Sequence, residues 1–238
     1  MSDENPPVGR TDPTADAVNR VISKMFGDLS DFFWDAVVAL NVNGISGDYV
    51  EFGSTGGNTL RLAYEVLSQV PGDRHLWAFD SFEGLPAPVD SLDEHPAFGA
   101  GYSGGGLEAF LQLCDSNSIP RTAYTAVPGF YQDSLTAIGD TGAPSDIALA
   151  YVDCNMYSST VTVFEFLAPR LKHGMIVAFD DYYCWSSTNV SGERAALGEF
   201  LAAHPEWNFH RFKDVHWGAV AFVVEDASAL ARSSILPG

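Results

Sequence analysis

The sequence predicts an α/β fold built on a doubly wound, mostly parallel sheet, and three observations carry that reading. From Gly47 onward short apolar runs alternate with helical patterns, the order that places crossover helices on both faces of a parallel sheet. The chain has 238 residues, 46% hydrophobic and 13% aromatic, enough to bury a sizeable core in a single domain. Near the end, the runs WNFHRFK and HWGAVAFVVE are separated only by Asp214 and Val215, a hairpin spacing that makes the last strand antiparallel.

In chain order, residues 1–13 (MSDENPPVGRTDP) are polar and acidic and read as a disordered tail. Residues 14–46 read as a helical cap, with Val18, Ile22, Met25, Phe26, Phe33, Val37 and Leu40 at helical spacing. DYVEFG is a strand followed by the helical NTLRLAYEVLSQV, and HLWAFDS is the second strand. Residues 86–106, PAPVDSLDEHPAFGAGYSGGG, have no periodicity and many glycines; a loop this long inside a domain reads as a lid over a site. LEAFLQLC, AYTAVPG, FYQDSLTAI, IALAYVD, STVTVFEFLAPRLK, GMIVAFDD and ERAALGEFLAAH then continue the alternation up to the final hairpin. One domain over 14–238 is expected.

Thirty-one acidic against twelve basic residues give a net charge of −19. Such a chain repels phosphate backbones and anionic lipid, which speaks against nucleic-acid and membrane-surface partners and favours a neutral or cationic small molecule. No apolar run is long enough for a membrane span, and the start lacks a signal-peptide pattern, so a soluble cytoplasmic protein is expected. Three cysteines without CxxC or Cys/His spacing read as reduced thiols, not as a disulfide framework or a structural zinc site.

Two places carry chemistry. The turn after the first strand, Phe52-Gly53-Ser54-Thr55-Gly56-Gly57-Asn58, lets a ligand approach the backbone closely and offers it free helix N–H groups. It departs from G-x-G-x-x-G and has no Walker lysine, which disfavours pyrophosphate and ATP. Asp80 ends the second strand, where an acid can accept hydrogen bonds from ribose hydroxyls; turn and acid together imply an adenosine-containing cofactor. The alternative is a purely structural turn. At the ends of the fourth and fifth strands stand Asp153 and the pair Asp180, Asp181. In a doubly wound sheet these ends open onto one crevice, and three carboxylates there repel unless a cation joins them. Hard oxygen donors select Mg2+, with Mn2+ or Ca2+ as alternatives. Helix or loop capping is the other reading of the pair.

VEFGSTGGNT, WAFDSFEGLP, PGFYQDSL, VDCNMYSST and VAFDDYY occur here in the order found in the macrocin O-methyltransferase-like family, which the chain resembles over roughly residues 47–224. The resemblance implies a Rossmann-like class I methyltransferase fold with seven strands, and S-adenosylmethionine- and Mg2+-dependent methylation of a sugar hydroxyl in natural-product biosynthesis. It implies that Glu51, Gly53, Ser54 and Asn58 lie along the methionine and ribose, Asp80 and Ser81 at the ribose, and Gly129 with Phe130 near the adenine. Asp153 is implied beside the cofactor and, with Asp180 and Asp181, as a metal ligand. The catalytic candidates are Asp181 and, as base, the lid residue His95; His216, Tyr182 or a water are alternatives for the base.

Two departures bear on the acceptor. Related catechol-type enzymes place a catalytic lysine three residues after the first aspartate, where this chain has Met156, so phenols are disfavoured. Two residues after that aspartate, where the macrocin-like group commonly has Asp, stands Asn155. Competing functions are a methyltransferase for phenolic or peptide hydroxyls, an NAD-dependent oxidoreductase, and a non-catalytic cofactor-binding partner of a biosynthetic complex. The expected partner is a hydroxylated, glycosylated small molecule, and the apolar N-terminal helical region is a candidate surface for self-association.

Overall fold

A computed structural model describes residues 13–232; all but the last residue of the expected tail lies outside them. Helix α1 (Pro13–Val42) precedes β1 (Asp48–Phe52), α2 (Asn58–Leu67) and β2 (Leu76–Asp80). A long loop with one 3-10 turn, Ser91–Asp93, leads to α3 (Leu107–Ser116), β3 (Tyr124–Pro128), α4 (Tyr131–Ala137) and α5 (Gly139–Gly142). Then come β4 (Ile147–Val152), α6 (Tyr157–Leu167), β5 (Ile176–Phe179), α7 (Gly192–Ala203), β6 (Trp207–Asp214), β7 (Val220–Asp226) and α8 (Ala227–Arg232). The seven strands form one sheet in the order β3-β2-β1-β4-β5-β7-β6. All pairs are parallel except those of β7, which runs antiparallel to β5 and β6.

The order reverses between β1 and β4, and at such a switch point the carboxyl ends of two strands part to leave a crevice. Every residue of β4 is buried, as expected for a central strand covered on both faces. One core cluster packs α1, α2 and α3 on one face; the other packs α4, α6 and α7 on the opposite face. Phe32, Phe33, Ala36, Val37 and Leu40 of α1 are buried, and Phe33 meets Tyr49 and Tyr151 at ring distances of 5.8 and 5.9 Å. At ~1.5–3 kcal/mol for each large side chain buried, the C-terminal half of α1 is integral to this core. Its N-terminal half is different, with Val18 and Ile22 exposed.

The expected two-residue hairpin is corrected. The β6–β7 connection runs from Val215 to Ala219 and is closed by Val215 N–H to Ala219 O at 2.9 Å and Ala219 N–H to His216 O at 3.2 Å. HWGA reads as the start of a strand by its apolar content, yet His216 is drawn out of the ladder to bond Asp180.

Candidate active site

A cavity of about 570 Å³ opens at the carboxyl ends of the strands around the switch point. Its floor holds Asp153, which follows β4, and Asp180 and Asp181, which follow β5. One oxygen from each carboxylate lies within 4.8 Å of the other two. Asp180 Oδ1 accepts hydrogen bonds from the Tyr151 hydroxyl and, at 2.9 Å, from His216 Nε2. Because Gly218 N–H donates to His216 Nδ1 at 3.2 Å, a neutral His216 carries its proton on Nε2 and aims it at Asp180. Asp181 Oδ2 accepts from the Asn155 amide. Tyr151 and His216 thus share one oxygen of Asp180, and Asn155 holds one oxygen of Asp181.

Among the described residues, no lysine or arginine lines the cavity. Burial, and then Asp180 and Asp181, hold the Asp153 pKa well above the carboxylate range; burial, and then Asp180, push Asp181 up to about 7. Three carboxylates whose oxygens converge, two of them with ionisation disfavoured by burial and by neighbouring carboxylate charge, form a hard donor set that fits a divalent cation.

The turn after β1 forms the adjoining wall. Gly53 has φ +98°, and a Cβ there would lie 1.8 Å from the Asp153 carbonyl oxygen. Asp80 is buried and accepts Thr55 N–H at 2.7 Å on one oxygen and Phe82 N–H at 2.5 Å on the other, so it ties the turn to the end of β2. Ser81 donates to Gly84 O at 2.9 Å. Glu51 is fully buried; Tyr49 donates to its Oε2 at 2.6 Å. Burial raises the Glu51 pKa to about 7. Glu51 Oε1 and the Ser54 hydroxyl lie buried behind the glycine turn, and the Ser54 hydroxyl acts on the Glu51 carboxyl.

Gly53, Asp80, Ser81, His95, Phe130, Asp153, Asp180 and Asp181 all line this one cavity. Glu51 and Ser54 are buried and outside its lining. Gly129, at φ +130°, leads the chain from β3 toward Phe130 and donates to Asp80 O at 2.9 Å. Asn58 is exposed at the first residue of α2 and does not line the cavity.

The loop at 86–106 covers one side through Pro86, His95, Ala97, Phe98, Tyr102 and Ser103. It is anchored by Asp93, a buried carboxylate that accepts Val89 N–H at 2.9 Å, Asp90 N–H at 3.1 Å, Ser158 N–H at 2.8 Å and Ser158 Oγ at 3.0 Å. The His95 ring stacks on Phe98 at 4.2 Å, and its Nδ1 accepts Ala97 N–H at 3.1 Å. Burial lowers its pKa. The neutral ring therefore carries its proton on Nε2 and, with the loop in this position, is a donor.

Tyr183, Trp185 and Trp217 also line the cavity, the last two 40% and 67% exposed. The Arg194 guanidinium lies over Trp185 and Tyr182 at 5.2 and 5.4 Å. Sequence reasoning missed Tyr151, Asp93 and Glu193. Glu193 is fully buried and accepts Cys154 N–H at 3.2 Å and Asp181 N–H at 2.9 Å. In sequence it resembles an ordinary first-turn helix acid, and nothing local announces partners so far along the chain.

The family model described as Macrocin-O-methyltransferase (TylF) matches residues 24–205. The 8-demethyl-8-(2,3-dimethoxy-alpha-L-rhamnosyl)-tetracenomycin-C 4'-O-methyltransferase of Streptomyces olivaceus is 30% identical over 151 residues, covering 59% of this chain and 54% of that protein. Mycinamicin III 3''-O-methyltransferase of Micromonospora griseorubida is 26% identical over 161 residues, covering 59% and 57%. The chain thus spans little more than half the length of these curated relatives. The structure of the O-methyltransferase NovP shares the fold with a TM-score of 0.68 at 20% identity, covering 82% of this chain and 79% of that one. The family match runs through the glycine turn, the loop over the cavity and both aspartate loops, and the chain belongs to the macrocin-O-methyltransferase family.

Proposed function

We propose that this protein transfers a methyl group from S-adenosylmethionine to a hydroxyl of a sugar carried by a natural-product acceptor, with Mg2+ held by Asp153, Asp180 and Asp181. The observation that carries the reading is that the three converging carboxylates and the β1 turn with Asp80 share one cavity. Family membership supports methyl transfer to oxygen, and the relatives named for a rhamnosyl 4'-oxygen and a mycinamicin III 3''-oxygen support a glycosylated acceptor.

The cofactor supplies an electrophilic sulfonium methyl carbon. A divalent cation supplies Lewis-acid stabilisation to a hydroxyl oxygen as it loses its proton. The chain's own residues do the rest. Gly53 clears the floor between the turn and Asp153, Asp80 offers its remaining lone pairs to ribose hydroxyls, and buried Glu51 with Ser54 backs the turn from behind. Tyr151, His216 and Asn155 orient the aspartates. The loop at 86–106 excludes water, and Tyr183, Trp185 and Trp217 provide flat apolar faces for a sugar or aglycone, so that binding energy is spent on alignment. In this loop position His95 orients an acceptor oxygen as a donor; proton removal by His95 requires release of its Ala97 bond. Met156 is buried, so no amine stands where a lysine would serve phenol methylation.

Calorimetry with S-adenosylmethionine, S-adenosylhomocysteine and NAD tests the cofactor. Heat with the two sulfur compounds and none with NAD is expected; the reverse would replace the reading with an oxidoreductase. A screen of glycosylated acceptors with labelled S-adenosylmethionine, followed by NMR of the product, then identifies the methylated oxygen.

A further inference from the structure

The three aspartates sit on two loops that leave the sheet separately, and something must hold those loops at a fixed spacing. The β4–β5 ladder reaches Asp180 N–H to Val152 O at 2.8 Å. One step further along each loop, the next tie is a side chain. Glu193, in the first turn of α7, accepts Cys154 N–H on Oε1 at 3.2 Å and Asp181 N–H on Oε2 at 2.9 Å. Cys154 follows Asp153 directly, and Asp181 is itself a candidate ligand. One carboxylate therefore spans both loops that carry the cation donors.

The approach of α7 that allows this is close. Gly192 has φ +58°, and a Cβ there would lie 2.8 Å from the Asn155 carbonyl oxygen. Asn155 in turn bonds Asp181 through its amide. Glu193 has no solvent exposure, and the charges that act on it most strongly are those of Asp181 and Asp180, both repulsive. A buried acid among acids is a costly way to close a helix end, for which an exposed serine or threonine suffices. It is an effective way to grip two N–H groups that both point at one carboxylate.

We propose that Glu193 is the positioning residue of the cation site, setting the spacing of the Asp153 and Asp181 loops by holding one backbone N–H of each. The proposal rests on the metal reading given above. Mg2+ demands near-ideal octahedral geometry at about 2.0–2.1 Å, so loss of this grip acts on cation affinity before it acts on cofactor binding.

The test is Mn2+ binding followed by electron paramagnetic resonance, with S-adenosylhomocysteine affinity measured in parallel, on wild type, Glu193→Asp and Glu193→Gln. Glu193→Asp keeps the charge but is too short to reach both N–H groups; Glu193→Gln keeps the length but replaces one acceptor by a donor. Both are expected to weaken Mn2+ binding by about 10–100-fold, the range for groups that orient metal ligands, while S-adenosylhomocysteine affinity stays within about twofold. Wild-type Mn2+ affinity in Glu193→Asp would overturn the proposal, because it would leave charge alone as the contribution. Where a variant is destabilised, the rise in Tm on adding Mn2+ gives the same answer: a diminished rise supports the grip and a full one refutes it. Absence of Mn2+ binding by wild type would overturn the metal reading itself, and the grip with it.

Discussion

At Gly53 the chain has no room for a side chain, since a Cβ would overlap the Asp153 carbonyl oxygen and the φ of +98° is itself foreign to other residues. Gly53→Ala is therefore expected to destabilise the fold by about 3 kcal/mol or more, measured by denaturant unfolding; a loss under about 1 kcal/mol, the ordinary effect of a point change, would mean that the two strand ends are not in contact. Glu51 behaves differently, because its effect depends on pH. Its pKa is raised from 4.5 to about 7 by burial, so the folded state binds the extra proton and the stability this contributes is lost as pH rises through 7. Replacing it with Gln removes that titration. The metal-free Glu51→Gln protein should lose less stability between pH 6 and pH 8 than wild type in parallel melts, and equal losses would show that Glu51 does not titrate in this range. What was legible at this scale is what a strand end announces: Asp80, Asp153, Asp180 and Asp181 each follow an apolar run. Glu193, Tyr151 and the bond from His216 to Asp180 were not legible as a set, since their function depends on partners brought near only by the fold.

Among the elements, the loop at 86–106 shows how a segment without periodicity acquires a fixed place. Asp93 gathers four donors, two from its own turn and two from Ser158 near the start of α6. Hydrogen bonds to a charged group contribute about 1.5–3 kcal/mol each, so Asp93→Ala should raise the rate of proteolytic cleavage within the loop by about tenfold or more. Cleavage at the wild-type rate would show that other contacts hold it. The sequence marked this loop by its glycines and its length, but not its anchor, because an acid inside a polar stretch looks like any solvated one. The β6–β7 turn makes the complementary point. Its apolar HWGA reads as strand, but the turn closed between Val215 and Ala219, with His216 bonded to Asp180, delays the ladder to Val220.

For the molecule as a whole, the alternation of strand and helix was enough to predict the sheet, its antiparallel end and the crevice at its switch point, because parallel strands buried on both faces leave near-continuous apolar runs. The helical cap was visible too, though its stripe of apolar residues overstated the buried face: Val18 and Ile22 are exposed while Phe32 through Leu40 enter the core. The proposed function turns on one point, that a cation held by Asp153, Asp180 and Asp181 would serve methyl transfer to a hydroxyl. The most direct measurement is transfer of label from S-adenosylmethionine to a glycosylated acceptor, run with Mg2+, with a chelator, and with Mg2+ restored, in wild type and in Asp153→Asn. Transfer that is lost on chelation, returns with Mg2+ and falls by about 10²-fold or more in Asp153→Asn is the predicted result. Transfer indifferent to the chelator, or undiminished in Asp153→Asn, would contradict it.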